Sequence, residues 1–216
     1  MLVLVLVASL LLFSVFDVWY FLRAALAVVH AWFQPRIWDI LAVQSFDGIV
    51  LPHDLDKLYH MNNSRYLREC DFARLHAYTR SRLLIALFKS GGGMVIGAST
   101  IRYRRSLEIW ESFQIQTKIR GWDDKAFYLE QRFVSKRDGF VSAVMFSKQN
   151  VMNSSPEILI SLASKMKDRE GDRGGLEPIP ADIRGTAGRI SQSLRHSVLD
   201  DSSSKQPSHL CVNRES

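Results

Sequence analysis

Acidic and histidine side chains are concentrated in one short segment of the chain. Residues 53–61 (HDLDKLYHM) contain two carboxylates, Asp54 and Asp56, and two imidazoles, His53 and His60. Groups of these types could accept and return a proton during a reaction on a bound substrate. The alternative is a loop that only caps the helix that follows it. Because the spacing matches no usual zinc pattern, we predict no metal site here.

A helix is predicted directly after this segment. Asn62 or Asn63 is expected to be its N-cap, since an asparagine side chain can accept a hydrogen bond from a free backbone amide. From residue 66 to residue 78, apolar positions recur at steps of three and four: Tyr66, Leu67, Cys70, Ala73 and Ala77. The helix is therefore amphipathic. A second helical stretch, residues 81–89, ends at three consecutive glycines.

Strand-like runs lie on both sides of these helices in the sequence. There are five of them: residues 45–51, 94–104, 112–120, 126–135 and 140–152. The last two meet at Asp138-Gly139, which is among the strongest hairpin signals. A long helix that leads into an antiparallel meander buries its apolar stripe against the sheet. We therefore predict one α+β domain over residues 40–165.

The segment DLDKLYHMNNSRYL, residues 54–67, resembles the loop-to-helix signature of the hotdog acyl-thioester hydrolases. These include acyl-carrier-protein thioesterases and the 4-hydroxybenzoyl-CoA thioesterase group, which share an Asp, a His-hydrophobic-Asn-Asn element and a Tyr on the helix. The resemblance implies the hotdog fold, an antiparallel sheet wrapped around a central helix. It also implies a homodimer with paired active sites at the interface, and an acyl-CoA or related acyl thioester as substrate. Water is then the cosubstrate, and no cofactor is implied.

The resemblance assigns roles to residues of this segment. Asp56 corresponds to the acid that either attacks the thioester carbonyl or activates water, and His60 would orient the water or the carboxylate. Asn62 and Asn63 would hold the loop as helix caps. Backbone amides at residues 62–65, at the positive end of the helix dipole, would stabilise the developing oxyanion.

Further candidates lie along the helix and on a strand. Tyr66 matches the helix tyrosine of the family and is a candidate substrate contact. Arg102 and Arg104 alternate onto one face of a predicted strand and could bind the phosphates of coenzyme A, although such residues more often form a solvated face. Glu69 and Asp71 could supply a second carboxylate, or pair with Arg65 and Arg68 on the helix surface.

One residue departs from the family pattern. Plant-type relatives have an Asn two residues before the motif histidine, and this chain has Leu58 at that place. A leucine side chain cannot replace the hydrogen bonds of an amide. Two functions therefore remain open: an acyl-CoA hydrolase, or a non-catalytic hotdog module that binds a lipid or a protein partner.

The N-terminal segment is the most hydrophobic part of the chain. No charged side chain precedes Asp17, and Arg23 and Arg36 follow the apolar run. We interpret residues 1–34 as a membrane anchor, with a helix through Leu22 and the domain on the cytosolic side of the endoplasmic reticulum. The alternative is a cleaved signal peptide and a secreted protein, in which the sequon at Asn153 could carry a glycan.

Composition limits the remaining possibilities. The formal charge of +6 favours contact with anionic lipids, phosphorylated ligands or nucleic acid. Nucleic-acid binding is not predicted, because the interleaved aromatic and basic motif of such proteins is missing. The two cysteines cannot form a disulfide framework. Residues 171–216 are rich in serine and contain no aromatic residue, which predicts a disordered tail.

Overall fold

The computed structural model describes residues 1–169. In chain order the elements are α1 (Leu2–Val15), α2 (Val18–Trp32), β1 (Gln44–Ile49), α3 (Asn63–Arg80), α4 (Leu83–Lys89), β2 (Gly93–Tyr103), β3 (Ser112–Trp122), β4 (Ala126–Ser135), β5 (Val141–Met152) and α5 (Pro156–Arg169). A short 3₁₀ turn, Pro52–Asp54, lies between β1 and α3. The predicted disordered tail, residues 171–216, lies outside the described residues.

The strands form one antiparallel sheet in the order β1-β3-β4-β5-β2. The successive strands β3, β4 and β5 are neighbours, as the predicted meander requires, while β1 and β2 form the two edges. Gly139 closes the β4–β5 hairpin with a φ of 72°, a left-handed conformation that glycine adopts without strain. The prediction of an α+β domain with an antiparallel sheet is confirmed.

The long helix α3 lies across the inner face of the sheet. Its apolar stripe packs against inward-facing side chains of the strands, including Phe113 and Phe133. The predicted stripe is buried at four positions, Tyr66, Cys70, Ala73 and Ala77. Leu67 is the exception, with 39% of its surface exposed, because position 67 lies about 100° around the helix from position 66.

The helix α2 covers another face of α3. Both helices run in the same direction, since Asp17 contacts Arg68 near their N-terminal ends and His30 stacks on His76 further along. The small residues Ala27 and Ala31 of α2 are buried. The central helix is therefore held between the sheet on one side and α2 on the other.

The apolar N-terminal run is divided into two helices. α1 ends at Val15 and α2 begins at Val18. Between them Asp17 caps α2, its carboxylate accepting the Tyr20 N–H at 3.1 Å. The expectation of a helix that continues through Leu22 is therefore wrong, because the Asp17 side chain starts a new helix within that run. None of the described helices is both long and apolar enough to cross a membrane.

A second core lies at one end of the sheet. There α4 and α5 pack against inward-facing residues of β3 and β4, including Trp122, Phe127 and Leu129. α5 begins at Pro156, a position where the missing amide of proline costs no helical hydrogen bond. This second core leaves the N-terminal end of α3 uncovered by α4 and α5.

Candidate functional site

The loop before α3 is a tight hairpin. Leu55 and Met61 pair across its base, and the Asp56 N–H donates to the His60 carbonyl oxygen at 3.0 Å. Tyr59, near the tip, has a φ of 61°, which is uncommon for a bulky residue and occurs at strained functional turns. The hairpin places Asp56 and His60, which are four positions apart in the sequence, side by side.

Asp56 and His60 form the centre of the candidate site. The Asp56 Oδ2 lies 3.3 Å from the His60 Nδ1, but the two atoms are not aligned as a hydrogen bond. The other carboxylate oxygen of Asp56 accepts the Leu58 N–H at 2.8 Å. The two side chains are 24% and 30% exposed. A carboxylate and an imidazole are thus adjacent, partly accessible, and each able to bind a further molecule.

The first turn of α3 adds one backbone donor. Asn62 is the N-cap, and its side chain accepts the Ser64 N–H at 2.9 Å. The Asn62 and Arg65 amides donate to the carbonyl oxygens of Asp54 and Asn62. The expected set of four oxyanion donors is therefore reduced, since three of these amides already have acceptors. Among the described residues, only the Asn63 amide of this turn has no acceptor within the protein.

Tyr66 lies in the core beneath this turn. Its hydroxyl accepts the Leu107 N–H at 3.1 Å, and its ring packs edge-on against Phe133 and Tyr103. Burial raises the pKa of Tyr66 to about 12, so the hydroxyl stays protonated. The structure thus places Tyr66 as a support for the residue 104–111 loop, with 1% of its surface exposed, and its proposed contact with substrate stays a prediction.

Residues far away in the sequence complete the surroundings. The Tyr103 hydroxyl, from the end of β2, donates to the Asn63 carbonyl oxygen at 2.8 Å, and Glu108 pairs with His60 through the backbone. Sequence reasoning missed both residues. Their separation of 40 or more positions from the motif leaves no local signal that could have identified them.

Arg102 and Arg104 lie elsewhere. Arg102 is opposite Val144 in the sheet register, and Tyr103 between the two arginines contacts Tyr66 on the inner face. Because alternate strand residues point to opposite faces, both arginines are on the outer face of the sheet. Arg104 there stacks over the Phe140 ring at 4.9 Å. The structure therefore unites Asp56, His60, Asn62 and Asn63 but does not bring Arg102 and Arg104 to them.

The neighbouring His53 connects the site region to α2. Its Nε2 accepts the Trp19 indole N–H at 3.0 Å. Burial lowers the pKa of His53. The nearby Asp54 carboxylate acts in the opposite direction, and the positive charge of Arg23 lowers the pKa further. A neutral imidazole is the form that can accept the indole hydrogen bond. The N-terminal end of α2 is thus fixed next to the candidate site.

The carboxylates further along α3 are committed to structural pairs. Glu69 forms a two-armed ion pair with Arg23 of α2, with 2.8 Å between the Arg23 Nη2 and Glu69 Oε2. Burial raises the pKa of Glu69, and Arg23 opposes that shift. Asp71 pairs with Arg74. Glu69, with 2% of its side chain exposed, is therefore not available as a second catalytic acid. The partners of the two carboxylates are Arg23 and Arg74, not the expected Arg65 and Arg68.

Within residues 1–169, no group of three or more His, Cys, Asp or Glu side chains is arranged to hold a metal ion. His53, Asp54, Asp56 and His60 instead form two separate contacts. His53 lies 3.2 Å from Asp54, and His60 lies beside Asp56. The chemistry available at the site is therefore that of a carboxylate, an imidazole and a backbone amide.

The chain is similar to known proteins over most of its length. A family model described as the thioesterase-like superfamily matches residues 50–184. Protein THEM6 from Xenopus laevis is 56% identical over 156 residues, which cover 72% of this chain and 75% of that protein.

Solved structures share the fold. The 1,4-dihydroxy-2-naphthoyl-CoA thioesterase Slr0204 from Synechocystis superposes with a TM-score of 0.50 at 9% identity, over 58% of this chain and 98% of that one. The hypothetical protein SAV2348 from Staphylococcus aureus, solved in complex with CoA, gives a TM-score of 0.50 at 15% identity, over 67% of this chain and 93% of that one. The predicted hotdog fold is confirmed.

Proposed function

The chain belongs to the thioesterase-like superfamily, and we propose on this basis that it hydrolyses acyl thioesters such as acyl-CoA. The observation that carries the proposal is the Asp56–His60 pair, held at the start of a helix whose Asn63 amide has no acceptor among the described residues. Thioester hydrolysis needs a base or nucleophile and a donor to the carbonyl oxygen. Asp56 supplies the base or nucleophile, and the Asn63 amide supplies the donor.

Two routes are compatible with the arrangement. In one, Asp56 takes a proton from water as the water oxygen attacks the thioester carbon; in the other, Asp56 attacks that carbon itself and water later cleaves the anhydride. In both, the carbonyl oxygen gains negative charge, which the Asn63 amide and the helix dipole stabilise. When water attacks, the carbon–sulfur bond breaks and the departing sulfur takes the proton held by Asp56, which gives a carboxylic acid and a thiol. When Asp56 attacks, the same bond breaks to give the anhydride and a thiolate. Water then cleaves the anhydride, which releases the carboxylic acid, restores Asp56 and supplies the proton that the thiolate takes up.

The test is release of free thiol from acyl-CoA substrates of several chain lengths by the full chain in detergent micelles. We expect Asp56→Asn to lower kcat/KM at least about 100-fold, since a positioned base contributes about 10²- to 10⁴-fold. Asp124→Asn is the matched control, because Asp124 is an exposed carboxylate in the β3–β4 turn. Equal turnover by Asp56→Asn and the parent, or none by the parent at any chain length, removes the hydrolase proposal.

A non-catalytic binding module is the second candidate, and Leu58 favours it. Leu58 is 66% exposed at the tip of the site hairpin, where the plant-type relatives have an Asn. If the absence of an Asn side chain at position 58 limits turnover, Leu58→Asn will raise the turnover rate. If the parent binds acyl-CoA without turnover and Leu58→Asn also has none, the protein is a binding module.

We further propose that two copies pair through β2. This edge strand carries no charged side chain from residue 93 to residue 101, and Val95 and Ile96 are 46% and 47% exposed. A long uncharged edge is prone to pairing with another strand. A second copy would also close a groove of about 270 Å³ between α3, α4 and β2. Sedimentation equilibrium should then give a dimer for the parent and a monomer for Val95→Lys.

Attachment to the endoplasmic reticulum membrane, with the domain on the cytosolic side, is proposed from the N-terminal segment. The side chains of α1 whose exposure is described are apolar and exposed, with Val3 and Leu4 at 72% and 74%. A secreted form made by signal cleavage is the alternative. Protease digestion of intact microsomes decides between them, because a cytosolic domain is digested and a lumenal one is protected.

A further inference from the structure

One face of helix α2 packs against α3, and the opposite face is exposed. Its inner face binds α3, through the Arg23–Glu69 ion pair and contacts of Tyr20 with Phe72. Its outer face lies half a turn away and is formed by apolar residues: Val18, Phe21, Leu22, Ala25, Leu26, Val29, Trp32 and Phe33. The outer face therefore carries no charged or hydrogen-bonding group except the indole of Trp32.

These outer side chains are accessible. Phe21 is 65% exposed, Leu26 is 53%, Trp32 is 58% and Phe33 is 86%. A surface helix of a globular protein normally presents polar residues on the side opposite its packing face. A contiguous exposed apolar surface of this kind marks a site of interaction.

The occupant that best fits this face is a lipid surface. The face continues at Asp17 into α1, which has no charged side chain and extensive exposed apolar surface. No charged side chain interrupts the stripe between Val18 and Phe33. Tryptophan and phenylalanine at its C-terminal end suit the lipid–water boundary, and the formal charge of +6 favours anionic headgroups.

We propose that α2 lies flat on the membrane, with its outer face among the lipids and its inner face fixed to α3. This proposal rests on the membrane attachment proposed above, and it adds an orientation to it. Because the Arg23–Glu69, Asp17–Arg68 and Trp19–His53 contacts join α2 to the domain at several points, the domain would be held rigidly and would not swing on a tether.

The test measures the reaction of single thiols with a membrane-impermeant maleimide. The background is the full chain with Cys211→Ser, in which Cys70 stays unreactive because it is buried and burial raises the pKa of its thiol. Leu26→Cys reports on the outer face of α2. Ile158→Cys on α5 is the matched control, since the two side chains are 53% and 51% exposed.

Each variant is labelled alone and with vesicles of phosphatidylcholine and phosphatidylserine, and vesicle binding is followed by flotation. We expect vesicles to slow labelling of Leu26→Cys at least about tenfold while Ile158→Cys changes less than about twofold, since a face buried among lipids excludes the reagent. Flotation without slowing overturns the flat orientation and leaves the attachment standing. Absence of flotation overturns both.

Two further outcomes also overturn the proposal. If Leu26→Cys is already protected without vesicles, in a manner that depends on protein concentration, a second copy covers the face. If vesicles slow both variants equally, the protein is enclosed nonspecifically. The thiol-release assay is independent of all these results, so loss of the hydrolase proposal would be recognised separately.

Discussion

The hairpin before α3 and the middle of that helix hold their charged groups in opposite ways. In the middle of α3, Glu69 is 1% exposed and joined by two contacts to Arg23. In the hairpin, Asp56 and His60 lie side by side without hydrogen-bond alignment and stay partly exposed. Buried charges are costly unless they are paired, so the Glu69 pair serves the fold. The hairpin groups carry no such pairing requirement, because they remain in contact with solvent.

Removing one partner of the Arg23–Glu69 ion pair should have the largest effect on stability. Arg23→Met leaves the Glu69 carboxylate buried without its cation, and we expect the free energy of unfolding to fall by about 3–5 kcal/mol. Chemical denaturation in detergent micelles measures the change. The comparison with the hairpin is tested by Asp56→Asn, which should change stability far less because Asp56 is partly exposed.

The double variant Arg23→Met with Glu69→Met is the control for this prediction. Replacing a whole buried ion pair by apolar side chains is often neutral, because no unpaired charge is left. We therefore expect the double variant to regain most of the loss. If it is as unstable as the single variant, the pair is not what joins α2 to α3.

Acid should weaken the middle and C-terminal part of α3 through His76. This residue is 1% exposed, neither ring nitrogen has a partner among the described residues, and burial lowers its pKa from 6.5 to about 4. The unfolded chain then takes up the proton first. Stability is complete above pH 6.5 and falls as the pH approaches 4, by about 3 kcal/mol at most.

The measurement is the free energy of unfolding of the parent and His76→Phe between pH 7 and pH 4. We expect a shallower fall for His76→Phe, since the phenyl ring cannot be protonated. An unchanged slope for His76→Phe would assign the acid sensitivity to other groups.

The smallest expected effect concerns the cap of the opening turn. Asn62→Ala removes the acceptor of the Ser64 N–H and should lower stability by about 1 kcal/mol. Asn63→Ala should cost less, because residue 63 is the first residue of the helix and not its cap. Thermal unfolding of the two variants measures the difference, and equal losses would mean that the cap assignment is wrong.

Local sequence patterns were sufficient for the strands and for the site hairpin. The successive strand-like runs and the Asp138-Gly139 turn predicted the meander, and Asp56 and His60 are close enough in the chain for one loop to bring them together. The packing of α2 was not predictable in this way. Most of its residues are apolar, a pattern also typical of a membrane helix, and the contact between Arg23 and Glu69 spans 46 positions.

Other positions were beyond local prediction for the same reason. Arg102 and Arg104 were grouped correctly on one face of a strand, but the side of the sheet depends on how β2 pairs with β5. The supply of free amides was overestimated, because the Asp54 carbonyl oxygen accepts the Asn62 N–H across the base of the hairpin. Such details depend on the path of the chain, which residue types alone do not determine.

The shared direction of α2 and α3 has a consequence for how a substrate would arrive. α1 leaves the domain at Asp17, next to Arg68 and close to the His53 side of the hairpin that holds Asp56. With α2 resting on the bilayer, the reactive end of the protein would sit at the lipid boundary. A long-chain thioester dissolved in the bilayer could then diffuse laterally to the hairpin without first escaping into water.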